Sequence, residues 1–256
     1  MEEMFSLREK VAVVIGGGGV LAGEMAMGFA RAGADVAVLD LIGENAAARA
    51  AAIRELGRRA IGMANDATSK AALEHARDQI LETFGQVDIL LNAAGINSAT
   101  PFFEISEQEW QKILDVNLKS VFLACQVFGK VMCDAGRGGA IINISSVSSG
   151  PPLSKVFTYS VTKAGVNSIT ESLARAFAPY KVRVNAILPG FFPAEQNRRI
   201  LTPERVASIM GHTPMNRFGE PSELVGAAVY LASERASSFV TGAILRVDGG
   251  FLATTI

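Results

Sequence analysis

Tyr159 and Lys163 stand four residues apart, and Ser146 lies thirteen residues before the tyrosine. Residues i and i+4 share one face of a helix, so this spacing sets a phenol beside an ammonium. A free tyrosine, with a pKa near ~10, is a poor acid or base at neutral pH. A neighbouring cation favours the phenolate and draws that pKa toward the working range. A hydroxyl arriving from another segment, such as Ser146, can hydrogen-bond the same substrate oxygen. The chemistry in view is proton transfer at an oxygen of a small molecule. Any surface helix can carry Tyr-x-x-x-Lys, so the rest of the chain must supply the context.

That context is an alternation of short β-branched runs with longer helical stretches. Strands are predicted at Lys10–Ile15, Asp35–Asp40, Arg59–Asn65, Val87–Asn92, Ala140–Ser145, Val182–Leu188 and Ala243–Val247. Helices are predicted near Val20–Ala32, Gly43–Leu56, Lys70–Phe84, Glu107–Ala135, Tyr159–Tyr180 and Ser222–Ser233. Ser106 and Glu109 have the spacing of a capping box at the start of the fourth helix. This pattern predicts an α/β fold: one Rossmann-type, doubly wound domain of about seven parallel strands with helices on both faces. Phe191–Asn216 breaks the rhythm and reads as a substrate lid without a regular unit.

The 256 residues are enough for a full core but few for two domains, and 49% hydrophobic content suits a sheet buried on both faces. A formal net charge of −1 gives no reason to expect nucleic acid or anionic lipid as a partner. Cys125 and Cys133 have no metal-ligand spacing and read as reduced core thiols. His75 and His212 read as a surface residue and a lid residue, so no metal is expected. Glu2 and Glu3 lead only to the apolar run Val11–Ile15, too short for a signal peptide or a membrane span. A soluble, cytoplasmic protein is the expectation.

The first predicted strand runs into Gly16-Gly17-Gly18-Gly19-Val20-Leu21-Ala22 and then a helix. Glycines there let backbone approach a pyrophosphate, and the uncapped helix N-terminus favours its charge. Asp40 closes the second strand 24 residues after Gly16, where a carboxylate accepts hydrogen bonds from ribose hydroxyls. The same charge repels a 2′-phosphate, and no basic residue in the turn or just after Asp40 offsets it. NAD(H) is therefore expected over NADP(H). The bland reading of Asp40 is a cap for the helix beginning near Gly43.

From end to end the chain resembles the short-chain dehydrogenases/reductases. The resemblance rests on the glycine turn, Asn92-Ala93-Ala94-Gly95, Asn117 in Asp-Val-Asn-Leu, and Ser146 in Asn-Ile-Ser-Ser. Tyr159 with Lys163, Pro189-Gly190 and Val247-Asp248-Gly249-Gly250 complete it. Ile15 replaces a usual threonine, and Val20 and Ala22 stand where glycines are common. Ala93 replaces a second asparagine, and Ala194 a threonine that often contacts the carboxamide. The resemblance implies hydride transfer to or from a carbon bearing oxygen, with Asn117, Ser146, Tyr159 and Lys163 as the catalytic set. It further implies that Gly16, Gly18, Gly19, Val20, Leu21, Asp40, Leu41, Asp66 and Ala67 bind the cofactor. Asn92, Ala93, Ala94, Gly95, Tyr159, Lys163, Pro189, Gly190 and Phe192 belong to the same cofactor-binding set. The dinucleotide-binding part would span 8–145 and the catalytic helix and lid 146–220 of a single 1–256 domain. A homotetramer is implied too, with apolar residues on more than one face of the two long helices, Val161, Ala164, Val166 and Ile169 among them.

The lid reads Phe191-Phe192-Pro193-Ala194-Glu195-Gln196-Asn197-Arg198-Arg199, rich in donors for a carboxylate and hydroxyls. From Phe191 to Arg217 there are four arginines against two glutamates. Arg217 resembles a structural arginine of the family and Arg205 reads as part of a solvated helix face. That leaves Arg198 and Arg199, either of which could equally be a solvated lid charge. The lid, His212-Thr213-Pro214-Met215-Asn216-Arg217-Phe218-Gly219 and Phe239-Val240-Thr241-Gly242 are similar to a sugar-acid branch of the family, the D-mannonate oxidoreductases or fructuronate reductases. A small polar carbonyl or hydroxy-acid substrate is expected, bound by Asn97, Ser146, Gln196, Asn197 and Arg198. A ketoacyl or general carbonyl reductase, a gluconate or polyol dehydrogenase and a non-catalytic nucleotide sensor are the alternatives. Asp40 counts against the first and the presence of Tyr159 and Lys163 against the last.

Overall fold

A computed structural model describes residues 2–192 and 202–253. Seven parallel strands form one sheet: β1 Val11–Ile15, β2 Asp35–Asp40, β3 Ala60–Ala64, β4 Ile89–Asn92, β5 Gly139–Ile144, β6 Val182–Pro189 and β7 Ile244–Val247. Their order is β3-β2-β1-β4-β5-β6-β7. The winding reverses between β1 and β4, which pair with Ile15 opposite Asn92. A sheet of this kind opens a crevice at that switch point, beyond the carboxyl ends of the strands.

The strands are apolar throughout because both faces are covered. Along β1, Val11, Val13 and Ile15 enter the core with Leu73, Ile80, Leu90 and Phe128. Ala12 and Val14 face the other way, toward Met25, Phe29, Ile53 and Leu224. The first core is closed by helices α3 (Lys70–Phe84), α5 (Ser120–Ala135) and α6 (Phe157–Phe177). The second is closed by α1 (Val20–Arg31), α2 (Gly43–Glu55) and α8 (Val225–Ala232); α4 (Glu107–Leu114) precedes α5 and α7 (Pro203–His212) precedes α8. Phe29 and Phe128 are both fully buried. Truncating either to alanine costs about 3–5 kcal/mol.

Four expectations need correction. The long helix expected at Glu107–Ala135 is α4 (Glu107–Leu114) and α5 joined by a π turn at Asp115–Lys119. Only half of the Ser106/Glu109 box forms. Ser106 Oγ accepts from Glu109 N at 3.1 Å, while the Glu109 carboxylate accepts from Thr100 Oγ1 at 3.0 Å. The lid contains a regular element after all, α7 (Pro203–His212), because Thr202 caps it and Pro203 at its first position presets the helical φ. The last predicted helix opens with a 3-10 turn at Pro221–Leu224 before α8. By length and composition Glu107–Ala135 is apolar enough to cross a bilayer, yet 56% of its most apolar window is buried inside this fold.

Candidate active site

Tyr159, Lys163, Ser146 and Asn117 come together at the carboxyl edge between β4, β5 and α6. Since α6 starts at Phe157, Tyr159 lies in its first turn and Lys163 follows one turn later on the same face. Lys163 is buried and reaches back to β5, where Nζ donates to Ile144 O at 2.8 Å, 5.5 Å from the centre of the Tyr159 ring. Ser146 follows β5 directly and caps a 3-10 turn over Val147–Ser149. Its Oγ accepts from Ser148 N at 3.2 Å and from Ser148 Oγ at 3.1 Å. Both lone pairs are thereby engaged, and the Ser146 hydroxyl keeps its proton for donation.

Asn117 sits in the π turn, with no exposed surface. Nδ2 donates to Ile96 O at 2.8 Å and to Thr162 Oγ1 at 3.2 Å, while Oδ1 accepts from Ile96 N at 2.8 Å. One side chain thus clamps the turn after β4 onto α6. Gly95 lies over the same spot, where a Cβ would be 3.5 Å from Asn117 Oδ1 and 3.7 Å from Lys163 Nζ. Mid-helix π turns recur at functional sites because the extra residue frees a side chain from the regular spacing.

The expected lowering of the phenol pKa by Lys163 is absent from the chain itself. Burial pushes Tyr159 above its ordinary 10.0, with a hydrogen bond to Ser146 working the other way. Burial also pulls Lys163 down to about 8. The ammonium donates to Ile144 O rather than to the phenol. Desolvation disfavours the charged form of each group.

At the other end of the cleft, Gly16 N and Gly17 N both donate to Leu39 O, at 2.8 and 3.1 Å. Gly16 has φ +75°, and a Cβ on it would come 2.9 Å from Ala94 N, so glycine is required twice over. α1 then begins with Gly19 as N-cap and no side chain bonded to its first-turn amides. Asp40 Oδ2 accepts from Gly18 N at 3.0 Å and Oδ1 from Ile42 N at 3.0 Å. Each carboxylate oxygen retains a lone pair for a hydroxyl. Asp40 is not the cap of α2, whose N-cap is Ile42. The cradle fits a dinucleotide: bare backbone at Gly16–Gly19, open helix amides and a carboxylate at its rim.

Other expected residues are placed less simply. Asn92 turns its side chain inward, where Nδ2 donates to Asn143 Oδ1 at 2.8 Å. It braces β4 against β5 at the switch point. Ala93 follows it, with N donating to Ile15 O at 3.1 Å, and so joins the two turns flanking the switch point. Val20, Leu41 and Asp66 are exposed at the rim, and Ala67 is buried beneath it. Asp66 Oδ1 is occupied by Thr68 N and Thr68 Oγ1, at 2.9 and 2.7 Å. Asn97 is exposed, and its Oδ1 accepts from Ser98 N at 2.8 Å. Gly190 N donates to Val247 O at 2.9 Å, tying the Pro189-Gly190 turn to β7. Phe192 lays its ring on Gly219, where a Cβ would clash with it. Ala194, Gln196, Asn197, Arg198 and Arg199 lie outside the described residues.

Arg217 forms a two-pronged pair with Glu223, at 2.7 and 2.6 Å, which holds that carboxyl down near about 2. This fits the structural role expected of it. Arg205, expected on a solvated face, makes an exposed bond there, donating to Ser154 Oγ at 3.2 Å in the loop that follows Ser146. Residues not expected at the site include Ser148, which orients Ser146, and Thr162, which braces Asn117. Asn45 is another, with Cβ 2.6 Å from where a Cβ on Gly18 would stand, beside Asp40. The serine run Ser145–Ser149 and the placing of Thr162 between Tyr159 and Lys163 were the available signals. Cys125 is buried beside Asn92 with its thiol pushed up to about 12, and Cys133 is a second free thiol. Among the described residues no group of three or more His, Cys, Asp or Glu side chains could hold a metal ion.

A family model described as Enoyl-(Acyl carrier protein) reductase matches residues 19–252. The chain belongs to the short-chain dehydrogenase/reductase family. Within it, the chain is 36% identical to the 2-dehydro-3-deoxy-D-gluconate 5-dehydrogenase of Escherichia coli, over 97% of this chain and 98% of that protein. A structure from Haemophilus influenzae, described as a candidate D-mannonate oxidoreductase with bound NAD, superposes with a TM-score of 0.93 at 35% identity. The match covers 98% of this chain and 97% of that one. A gluconate 5-dehydrogenase from Burkholderia cenocepacia in complex with NADP and tartrate gives 0.94 at 33% identity, covering 99% of both chains. This dehydrogenase/reductase thus has structural neighbours with either nicotinamide cofactor.

Proposed function

We propose that this short-chain dehydrogenase/reductase is an NAD(H)-dependent oxidoreductase of small sugar acids. It would interconvert a secondary alcohol and a ketone, with D-mannonate and D-fructuronate as the specific pair. The observation that carries the reading is the meeting of Tyr159, Lys163, Ser146 and Asn117 at one edge, beside a glycine cradle rimmed by Asp40. A bound nicotinamide would supply the chemistry of hydride gain and loss. Gly16, Gly18, Gly19, Val20, Leu21, Asp40, Leu41, Asp66 and Ala67 would hold its adenosine and phosphate end. Ala93, Ala94, Gly95, Pro189, Gly190 and Phe192 would hold the nicotinamide end.

The chain's own residues handle the oxygen and its proton. Tyr159 gives a proton to the carbonyl oxygen in reduction and takes one from the alcohol in oxidation. Ser146 donates to the same oxygen, its hydroxyl aimed by the two bonds from Ser148. Lys163 stabilises phenolate as it forms and holds ribose hydroxyls. Asn117 keeps the Ile96 backbone and Thr162 in register around it, supporting a water through which the proton is replaced. Gln196, Asn197, Arg198 and Asn97 contribute polar contacts to the substrate.

NAD is favoured over NADP by the carboxylate of Asp40, which would face a 2′-phosphate as a like charge. A cytoplasmic homotetramer completes the proposal, supported by exposed Phe103, Phe122, Phe157 and Val161 along the helical layer. A gluconate-type 5-dehydrogenase is the second reading, favoured by the likeness to the Escherichia coli enzyme.

The test is a steady-state screen of keto-sugar acids, neutral ketoses, polyols and β-ketoacyl thioesters with NADH, NADPH and their oxidised forms. D-fructuronate with NADH should give the highest kcat/KM. Preference for a thioester or for NADPH sinks the proposal, and preference for 5-keto-gluconate moves it to the second reading.

A further inference from the structure

Beyond Ser146 the chain makes a loop through Pro151, Pro152, Leu153 and Ser154, and α7 lies across from it. Between them is a cleft of about 280 Å³, lined by Ser154, Arg205, Ser208, His212, Phe191 and Phe251 among others. Its volume is at the small end of ligand clefts, which run from about 300 Å³ upward, and suits a metabolite rather than a nucleotide. Its apolar side rests on the buried group of Val147, Leu188 and Phe251, against which Leu153 and Phe191 pack. Val147 is the residue after Ser146, so this floor continues the catalytic turn.

The charge in the cleft has one sign. Among the described residues an arginine, a histidine and two hydroxyls line it, and no carboxylate does. Arg205 is at the third position of α7, where its own backbone N–H is capped by Thr202 Oγ1 at 3.3 Å. Among the described residues its guanidinium makes one hydrogen bond, to Ser154 Oγ at 3.2 Å, and no ion pair. A guanidinium has five N–H donors in a planar fork, so one bond fixes the fork and leaves donors for a planar anion. Phe191 and Phe251 stand 5.3 Å apart at the base, with the His212 ring edge-on to Phe251 at 4.6 Å.

We infer that Arg205 reads the carboxylate of the substrate, with Ser154 holding the fork in place. The assignment deepens the sugar-acid reading and rests on it. It moves the carboxylate contact from Arg198, the residue that sequence favoured, to the first turn of α7.

Arg205→Ala, Arg205→Lys, Ser154→Ala and Arg198→Ala are compared with the unaltered enzyme on a keto-hexonate and on a neutral ketose of the same length. D-gluconate binding is measured in parallel by calorimetry. A charge-assisted bond of this kind corresponds to roughly 10- to 150-fold in affinity. Arg205→Ala should lower kcat/KM for the acid about that much, mainly through KM, and weaken gluconate binding in step. The ketose should change by less than about threefold, Arg205→Lys should recover part of the loss, and Ser154→Ala should keep most of the acid-to-ketose ratio. Equal losses on both substrates, the full selective loss in Ser154→Ala, or a selective loss in Arg198→Ala with none in Arg205→Ala overturns the assignment while the sugar-acid reading stands. Turnover of neutral ketoses with neither turnover nor binding of any acid overturns both.

Discussion

The glycine turn after β1 and the loop after β5 lie at the same edge of one sheet, yet they are made of different material. At Gly16–Gly19 the working surface is backbone, held by amides bonded to Leu39 O and by close contact with Ala94. Around Ser146 the working surface is side chains, each aimed by another: Ser148 onto Ser146, Ser154 onto Arg205, Asn117 onto Thr162 and Ile96. Backbone suits a ligand part that is the same in every reaction, because its shape is fixed by the fold. Side chains suit the part that differs between enzymes, because one substitution changes the contact without moving a strand.

The largest break in that comparison is Tyr159→Phe. Removing the phenol oxygen should lower kcat by about 10²–10⁴. NADH affinity, followed by its fluorescence, should stay within about twofold, since the cradle is untouched. Near-normal turnover would remove the acid–base assignment.

On the cradle side, Gly18→Ala puts a methyl group where a Cβ would stand 2.8 Å from Asp40 Oδ2 and 2.6 Å from Asn45 Cβ. The backbone at Gly18 does not have positive φ, so the fold should survive while NADH affinity falls roughly tenfold. Asp40→Ala should act differently, narrowing the NADH-to-NADPH ratio of kcat/KM by at least about tenfold. An unchanged ratio would mean that Asp40 is not facing the 2′ position.

The last effect is on stability and not on turnover or binding. Lys163 titrates near about 8 in the fold against 10.5 ordinarily. Between those values the unfolded chain holds the proton and the folded chain does not, so this group makes stability rise with pH across that window. The rise is on the order of 3 kcal/mol. Cys125, pushed up to about 12 from 9.0, works in the opposite direction above pH 9. The measurement is therefore the difference between the unaltered chain and Lys163→Met in urea midpoints from pH 7 to 10. A pH-independent difference would show that the buried ammonium is not desolvated as its surroundings suggest.

The backbone-built edge was the more legible of the two in the sequence. Strand period, a glycine cluster and a carboxylate at the end of β2 are local patterns, and each lies where that pattern put it. Tyr159 and Lys163 were legible for the same reason, since a single helix sets their spacing. The bond from Asn92 to Asn143 was not legible, because strand alternation does not say which face of β4 meets a polar neighbour on β5. The bond between Arg205 and Ser154 was not legible, because the two residues are 51 apart in sequence and no local pattern joins them. The pKa of Tyr159 was misjudged because burial is a tertiary quantity that i+4 spacing cannot convey.

The π turn at Asp115–Lys119 has a consequence for the outside of the molecule. A regular helix advances about 100° per residue, so one extra residue in a turn resets the azimuth of everything downstream by roughly that angle. α5 therefore does not present the face that α4 would have handed to it. Phe122, half exposed, lies just after the turn. Deleting one residue from 115–119 would straighten the helix and rotate Val121, Leu123 and Phe122 out of phase together. The irregularity that lets Asn117 hold the Ile96 loop is also what decides which stripe of α5 a neighbouring molecule would meet.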